Sequence, residues 1–375
     1  MNFLEYLIGH QAEMVDTLRT VVSYESPSRE KILLDRLTAY LAELFCSIGA
    51  DVKILEQPEA GNHLRASWGE GKEQALILCH IDTVWPMGEI DKRPFRIVDG
   101  KAYGPGVYDM KGGLVQAIFA LKSIIAIQKK VPRKIVFLCT SDEEIGSQTS
   151  CSLIEAEAHN SAFVLVPEPA ANGKQGAAKL SRNAWGMYDM KIIGRSAHAG
   201  GDHNKGINAL EEMAHQILKL QAMTDYDIGT TVSVGEAQGG AGYNVIPGLA
   251  TAKVDLRAST KKELAAAHVK IMGLTPFLKG AAVIVTGGIN RPPLLATKAN
   301  TLLYEKARRY AEELGFELPG VHVGGVSDGN LTSAIGVATL DGIGAVGDGA
   351  HAVHENVLLE ALAPRAALLA KLLAE

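Results

Sequence analysis

Cysteine is scarce in this chain: four among 375 residues, at positions 46, 79, 139 and 151. They form no Cys-x-x-Cys pair and no dense framework, so a disulfide-stapled scaffold is excluded and cytoplasmic residence with free thiols is expected. An excess of basic residues is missing as well. Lys+Arg 37 against Asp+Glu 42 leaves a net charge of −5, so a nucleic-acid footprint is not expected. The longest apolar run, Leu114 to Ile127, is broken by polar residues well short of the ~20 needed to span a bilayer. Met1 to Met14 carries Glu5 and Glu13 and no basic segment, so neither a secretory leader nor membrane association is expected. What is plentiful is glycine: 39 residues, above the usual ~7% of a chain, which points to many tight backbone turns.

The order of apolar patterns indicates two kinds of module. Leu37, Leu41 and Leu44 share a helical face that Gly49 terminates. Short runs without alternation follow at Ala75–Cys79, Ile135–Cys139, Phe163–Val166 and Val337–Leu340, as expected of strands buried on both faces. Between the first two, Leu114, Ile118, Leu121 and Ile125 mark a helix over 111–128. Strand–helix–strand units of this kind predict an α/β fold with a mixed, largely parallel sheet and helices on both faces.

From about Lys179 the rhythm changes. Strands near 187–193, 230–234, 251–256 and 281–286, with helices near 206–221 and 261–274, give β-α-β-β-α-β, the ferredoxin-like order. The α/β pattern resumes after Arg291-Pro292-Pro293. The predicted organisation is a catalytic domain in two parts, 1–178 and 292–375, interrupted by a lid or dimerisation module over 179–291.

The polar residues that follow the buried strands carry the chemistry. Ala75–Cys79 runs into His80-Ile81-Asp82, Ile135–Cys139 runs through Thr140-Ser141 into Asp142-Glu143-Glu144, and Phe163–Val166 runs into Pro167-Glu168. Val337–Leu340 leads through glycines to His351. In open α/β sheets, ligands bind beyond the carboxyl ends of the strands. Asp109, in Gly104-Pro-Gly-Val-Tyr-Asp-Met-Lys-Gly-Gly, adds another acid before a helix. Any one acid after a strand is an ordinary solvated turn residue; recurrence at four strand ends is not. Imidazoles mixed with carboxylates suit zinc, and also manganese or cobalt. Crowded carboxylates repel unless cations neutralise them, and two metals sharing one carboxylate use this inventory best.

Taken together, His80-x-Asp82, the Gly104–Gly113 segment, Asp142-Glu143-Glu144, Glu168 and Gly349-Ala-His351-x-x-x-Glu355 resemble the dinuclear zinc peptidase family. That family includes glutamate carboxypeptidase, acetylornithine deacetylase, succinyl-diaminopimelate desuccinylase and aminoacylase. The resemblance covers nearly the whole chain and is nearest to bacterial glutamate carboxypeptidases of the folate-cleaving kind. It implies two zinc ions, with cobalt or manganese as alternatives. Asp109 would bridge them, His80 and Glu168 would complete one site, and Glu144 and His351 the other. Glu143 would be the general base, and Asp82 the carboxylate that orients His80. The peptide bond after Asp82 is expected to be cis.

In the interrupting module, the resemblance implies that His198 reaches across a homodimer into the partner's site. Asn244, Arg257 and Arg291 would bind a substrate carboxylate, for which the planar guanidinium is suited. Gly324 to Asn330 matches a family loop near the substrate. The activity implied is an exopeptidase that releases a C-terminal amino acid, glutamate favoured, from a peptidyl or N-acyl substrate. An N-acyl-amino-acid deacylase of the acetylornithine or desuccinylase kind is the alternative, and a non-catalytic binding protein on the same fold the remote one.

Some patterns receive no role. Gly342-x-Gly344-x-x-Gly347 fits a dinucleotide fingerprint by spacing, but His351 and His354 follow where a helix and a distant acid are required. Cys79 and Cys139 are expected in the core, and His10, His63, His159, His203, His215, His268 and His322 at surface or capping positions. Between the late histidines, His351 is favoured. Leu358, Leu359 and Leu362 resume a helical pattern near Glu355, which puts His354 at the helix start.

Overall fold

A computed structural model describes residues 1–374 of the chain, which divide into two compact units. The first comprises Met1–Ser181, Leu295–Val323 and Ser327–Glu375. The second comprises Arg182–Leu294 with Gly324–Val326.

The first unit is built on an eight-stranded mixed sheet. Its strands run in the order Asp51–Leu55, His63–Trp68, Lys134–Thr140, Gln74–His80, Ser161–Val166, Thr339–Asp341, Ala178–Arg182 and Gly320–Val323. Four central strands, from Lys134–Thr140 to Thr339–Asp341, pair in parallel. The pairs outside them at Asp51–Leu55, His63–Trp68 and Ala178–Arg182 are antiparallel.

Successive residues of the central strands feed two different cores, because side chains alternate across a sheet. Ala75, Ile77 and Cys79 join Ile135, Phe137 and Cys139 under helices Lys31–Ser47, Gly112–Ala126 and Leu362–Ala374. Leu76 and Leu78 join Val136, Leu138 and Val164 against Ile154, Ala158 and Leu331 of helices on the other face. Both thiols at 79 and 139 are buried there. Double-sided burial is why these strands show no alternation in sequence.

The second unit is a four-stranded antiparallel sheet, ordered Thr230–Gly239, Leu249–Ala258, Ala184–Ile193 and Ala282–Arg291. Along Ala184–Ile193, alternate residues Ala184, Gly186, Tyr188, Met190 and Ile192 are buried. They pack with Met213 and Leu220 of helix Ala209–Gln221 and Leu264 and Ile271 of helix Lys261–Met272. The chain order is β-α-β-β-α-β.

One element differs from expectation. The segment after Glu355 is not helical: Asn356–Leu358 is a strand paired with Gly347–Asp348 and with Lys101–Tyr103, and the helix begins only at Leu362. Sheet partners for those backbone groups outcompete a local leucine pattern. No helix among the described residues is long and apolar enough to cross a membrane.

Candidate metal centre

His80 is the last residue of its strand and is buried to 2% exposure. Its Nδ1 lies 3.1 Å from the Asp82 carbonyl oxygen and 3.4 Å from Asp82 Oδ1. Its Nε2 lies 3.2 Å from Asp109 Oδ1 and 3.4 Å from Glu168 Oε1. A partner on Nδ1 fixes the ring and leaves Nε2 facing the acids, the arrangement of a metal-binding histidine.

Asp82 does more than orient His80. Its carboxylate accepts the Ser28 hydroxyl at 2.8 Å and the backbone N–H groups of Glu143 and Glu144 at 3.2 and 3.1 Å. The turn bearing those two glutamates is held from its other side by Asp142, which accepts the N–H and hydroxyl of both Thr149 and Ser150.

Asp109 has non-helical backbone in the kinked segment Val107–Lys111, which leads into helix Gly112–Ala126. Its Oδ1 faces His80 and its Oδ2 lies 3.3 Å from His351 Nε2. His351 Nε2 is also 3.2 Å from Glu144 Oε1. His351 has φ +62°, in the left-handed region that non-glycine residues seldom occupy and that recurs at functional sites. Ligand atoms of His80, Asp109 and Glu144 all lie within 4.8 Å of one another.

Glu168 reaches the cluster from Pro167, and two glycines make room for the turn. A Cβ on Gly113 would stand 1.7 Å from the Pro167 carbonyl oxygen, and one on Gly344 would stand 2.0 Å from it. Pro167 donates no N–H, but the Glu168 carbonyl accepts that of Gly344 at 3.0 Å. Lys179 Nζ is 3.7 Å from Glu168 Oε2.

The electrostatics are those of a cluster with excess negative charge. Burial opposes a charged His80, but hydrogen bonds that its ring donates to Asp109, Asp82 and Glu168 outweigh it and raise its pKa. The Asp109 and Glu144 carboxylates push His351 up to about 11. Burial raises Glu144 to about 7, partly countered by His351, and raises Glu143 well above the usual carboxylate range. Asp109 stays low, because the two imidazoles overcome its burial. A cation between these groups would take over the work of the imidazole protons. The donor set of imidazole nitrogen and carboxylate oxygen fits zinc, cobalt or manganese.

His198, Asn244, Arg257 and Arg291 belong to the second unit. His198 is exposed, and its Nδ1 accepts the N–H groups of Gly200 and Gly201 at 3.1 and 3.0 Å. Asn244 is exposed in the loop before Val245–Ile246. Arg257 makes a two-pronged bond to Asp255, at 2.9 and 3.0 Å, and stacks over Trp185. Arg291 is buried and donates to the Asn290 side chain at 2.9 Å.

Two expectations need correction. The cis peptide among the described residues joins Asp109 to Met110, not Asp82 to Thr83. Thr83 forms an isolated parallel bridge with Pro27, its N–H donating to the Ser26 carbonyl. His63 is fully buried rather than at the surface. It accepts the Ser141 N–H through Nδ1 and meets the Thr149 hydroxyl through Nε2, bracing the Asp142 turn. Glu355 was legible only as the acid of His351-x-x-x-Glu355, yet it accepts the N–H groups of Gly106, Tyr108 and Asp109. Backbone acceptor roles of this kind leave no signature in spacing.

The chain is similar to known peptidases in sequence and in fold. The profile of Peptidase family M20/M25/M40 matches residues 76–375. Carboxypeptidase G2 from Pseudomonas sp. (strain RS-16) is 32% identical over 314 residues, covering 81% of this chain and 74% of its own. Among solved structures, an M20 family metallo-carboxypeptidase from Sulfolobus solfataricus superposes with a TM-score of 0.76 at 18% identity, covering 96% of this chain and 98% of that one. A dinuclear metal-binding M20 peptidase from Bacillus subtilis gives 0.70 at 15% identity, over 98% of each chain.

Proposed function

This chain belongs to peptidase family M20/M25/M40 and is a hydrolase of that metallopeptidase family, and we propose that it is a dinuclear zinc carboxypeptidase. The observation that carries this reading is Asp109 standing between His80 and His351, one carboxylate oxygen to each. His80, Asp109 and Glu168 would hold one ion, and Asp109, Glu144 and His351 the other, with cobalt or manganese as alternative metals. Such a pair supplies Lewis acidity toward a scissile carbonyl and a nucleophile at neutral pH.

The chain's own residues do the proton work. Glu143 takes a proton from the attacking water on its carboxylate and returns it to the leaving amine. Desolvation raises its pKa, which makes the carboxylate a stronger base and lets it hold the proton between the two steps. Asp82 holds the Glu143–Glu144 turn and the His80 ring together. His198 accepts backbone N–H groups at Nδ1, so its ring proton is on Nε2, free to be donated to a developing oxyanion. Asn244, Arg257 and Arg291 bind the carboxylate of the amino acid to be released. For Arg257 this means exchanging or sharing its two-pronged bond with Asp255.

Release of a C-terminal amino acid is supported by the likeness to carboxypeptidase G2, and glutamate is favoured by the resemblance of the motifs to glutamate carboxypeptidases. A homodimer through an edge strand of the second unit, Thr230–Gly239 or Ala282–Arg291, and cytoplasmic residence complete the proposal. The deciding experiment is metal analysis with kinetics on folate-type and peptidyl glutamates beside N-acetyl and N-succinyl amino acids. Hydrolysis of the N-acyl substrates alone would replace the carboxypeptidase with a deacylase. Absence of both bound metal and hydrolysis after metal addition would leave a binding protein. A fully active monomer in sedimentation would remove His198 from a neighbour's site.

A further inference from the structure

Glu355 is buried to 1% exposure, and nothing in the chemistry above uses it. Its two oxygens receive four donors. Oε1 accepts the N–H groups of Tyr108 and Asp109 at 2.9 and 3.1 Å. Oε2 accepts the N–H of Gly106 at 2.9 Å and the Trp85 indole N–H at 3.0 Å. A carboxylate has about four acceptor positions, so all of its capacity is spent on these donors. Three of them are backbone amides of the turn that delivers Asp109. The turn is compact: Gly106 has φ +73°, and a Cβ there would stand 2.6 Å from the Thr83 methyl.

The same residue is tied to the other metal-facing loop. Glu355 lies four residues after His351 and directly before Asn356–Leu358. That strand pairs with Lys101–Tyr103, the strand that leads into the Gly106–Asp109 turn. One side chain therefore joins the loop of Asp109 to the loop of His351.

We propose that Glu355 is a positioning residue that sets the Asp109 turn before metal binds and locks it to the His351 loop. The proposal rests on the reading of Asp109 and His351 as metal ligands. Without Glu355, the amides of Gly106, Tyr108 and Asp109 would lose their acceptor, and only the imidazoles of His80 and His351 would hold Asp109 beside Glu144 and Glu168. Ordering that turn would then fall to the metal and weaken its binding. Partners that orient metal ligands typically change metal affinity by about 10–100-fold when removed.

The test uses the full chain and zinc as the probe. Amide hydrogen exchange is measured on metal-free wild type and on Glu355→Gln, which keeps the shape but places an NH2 group against N–H donors. Zinc affinity is then measured by calorimetry on both and on Trp85→Phe. The amides of Gly106, Tyr108 and Asp109 should be protected in metal-free wild type and exposed in Glu355→Gln. Zinc affinity should fall about 10–100-fold in Glu355→Gln, while kcat of the zinc-saturated variant falls less than its affinity. Trp85→Phe removes only the indole donor and should bind zinc as wild type does. Fast exchange of those amides in metal-free wild type overturns the proposal, and needs no variant to fold. Unchanged zinc affinity in a folded Glu355→Gln overturns it too, as does an equal loss in Trp85→Phe. A wild type that binds no zinc overturns the metal reading itself, and the exchange comparison distinguishes that failure because it uses no metal.

Discussion

Asp82 accepts the backbone N–H of Glu144 through Oδ2 at 3.1 Å, so one carboxylate sets a candidate ligand's backbone while its other oxygen and its carbonyl face the His80 ring. The N–H of Glu143 is bound by the same carboxylate. The position of Glu143 is therefore fixed by its backbone, and its side chain can be exchanged without releasing the turn.

Glu143→Ala should accordingly keep a near-normal metal content while kcat falls by about 10²–10⁴, the usual contribution of a general base. Metal analysis beside steady-state kinetics checks this. Loss of one metal equivalent would mean that Glu143 and Glu144 have exchanged roles.

His351→Ala should remove about one metal equivalent and nearly all activity, because its Nε2 faces both Asp109 and Glu144. His354→Ala should retain most of both. His354 is exposed, and its backbone carbonyl accepts from the Asn356 amide. Equilibrium dialysis of the two variants decides between the histidines, and the reverse result would reassign the ligand.

Metal affinity should rise with pH. In the metal-free protein His351 holds its proton up to about 11, and Glu144 holds one below about 7. Metal displaces both, so log K climbs with pH, more steeply below the Glu144 value than above it. Calorimetry between about pH 6 and about pH 8, in buffers of different ionisation enthalpy, should show proton release that diminishes across this window. Uptake of protons on binding would contradict the assignment.

Gly113→Ala should destabilise the protein by about 1–3 kcal/mol, the usual cost of overpacking. The new methyl would meet a backbone carbonyl at 1.7 Å, which no side-chain rotation relieves. Because that carbonyl belongs to Pro167, the variant should also weaken metal binding through Glu168. Thermal unfolding and zinc titration read the two effects separately, and an unchanged Tm would show that the helix and the turn are less tightly juxtaposed.

Much of this protein was legible in its residues because the signals are local. Unalternating runs such as Ala75–Cys79 state that both faces of a strand are covered, and the polar residues after them must then lie at one sheet edge. Alternation over 187–193 equally announces a sheet covered on one face. Tertiary structure decided what depends on partners distant in the chain. Asn356–Leu358 is a strand because Lys101–Tyr103 lies beside it, although Leu358 with Leu359 and Leu362 reads as helix. His63 is interior because Ser141 and Thr149 offer it bonds across 78 and 86 residues. Glu355 is an anchor because amides some 250 residues earlier need an acceptor, as the Gly106 separation of 249 shows. Backbone N–H groups are the same in every residue, so no sequence pattern records which acid will serve them; only the folded chain brings the pair together.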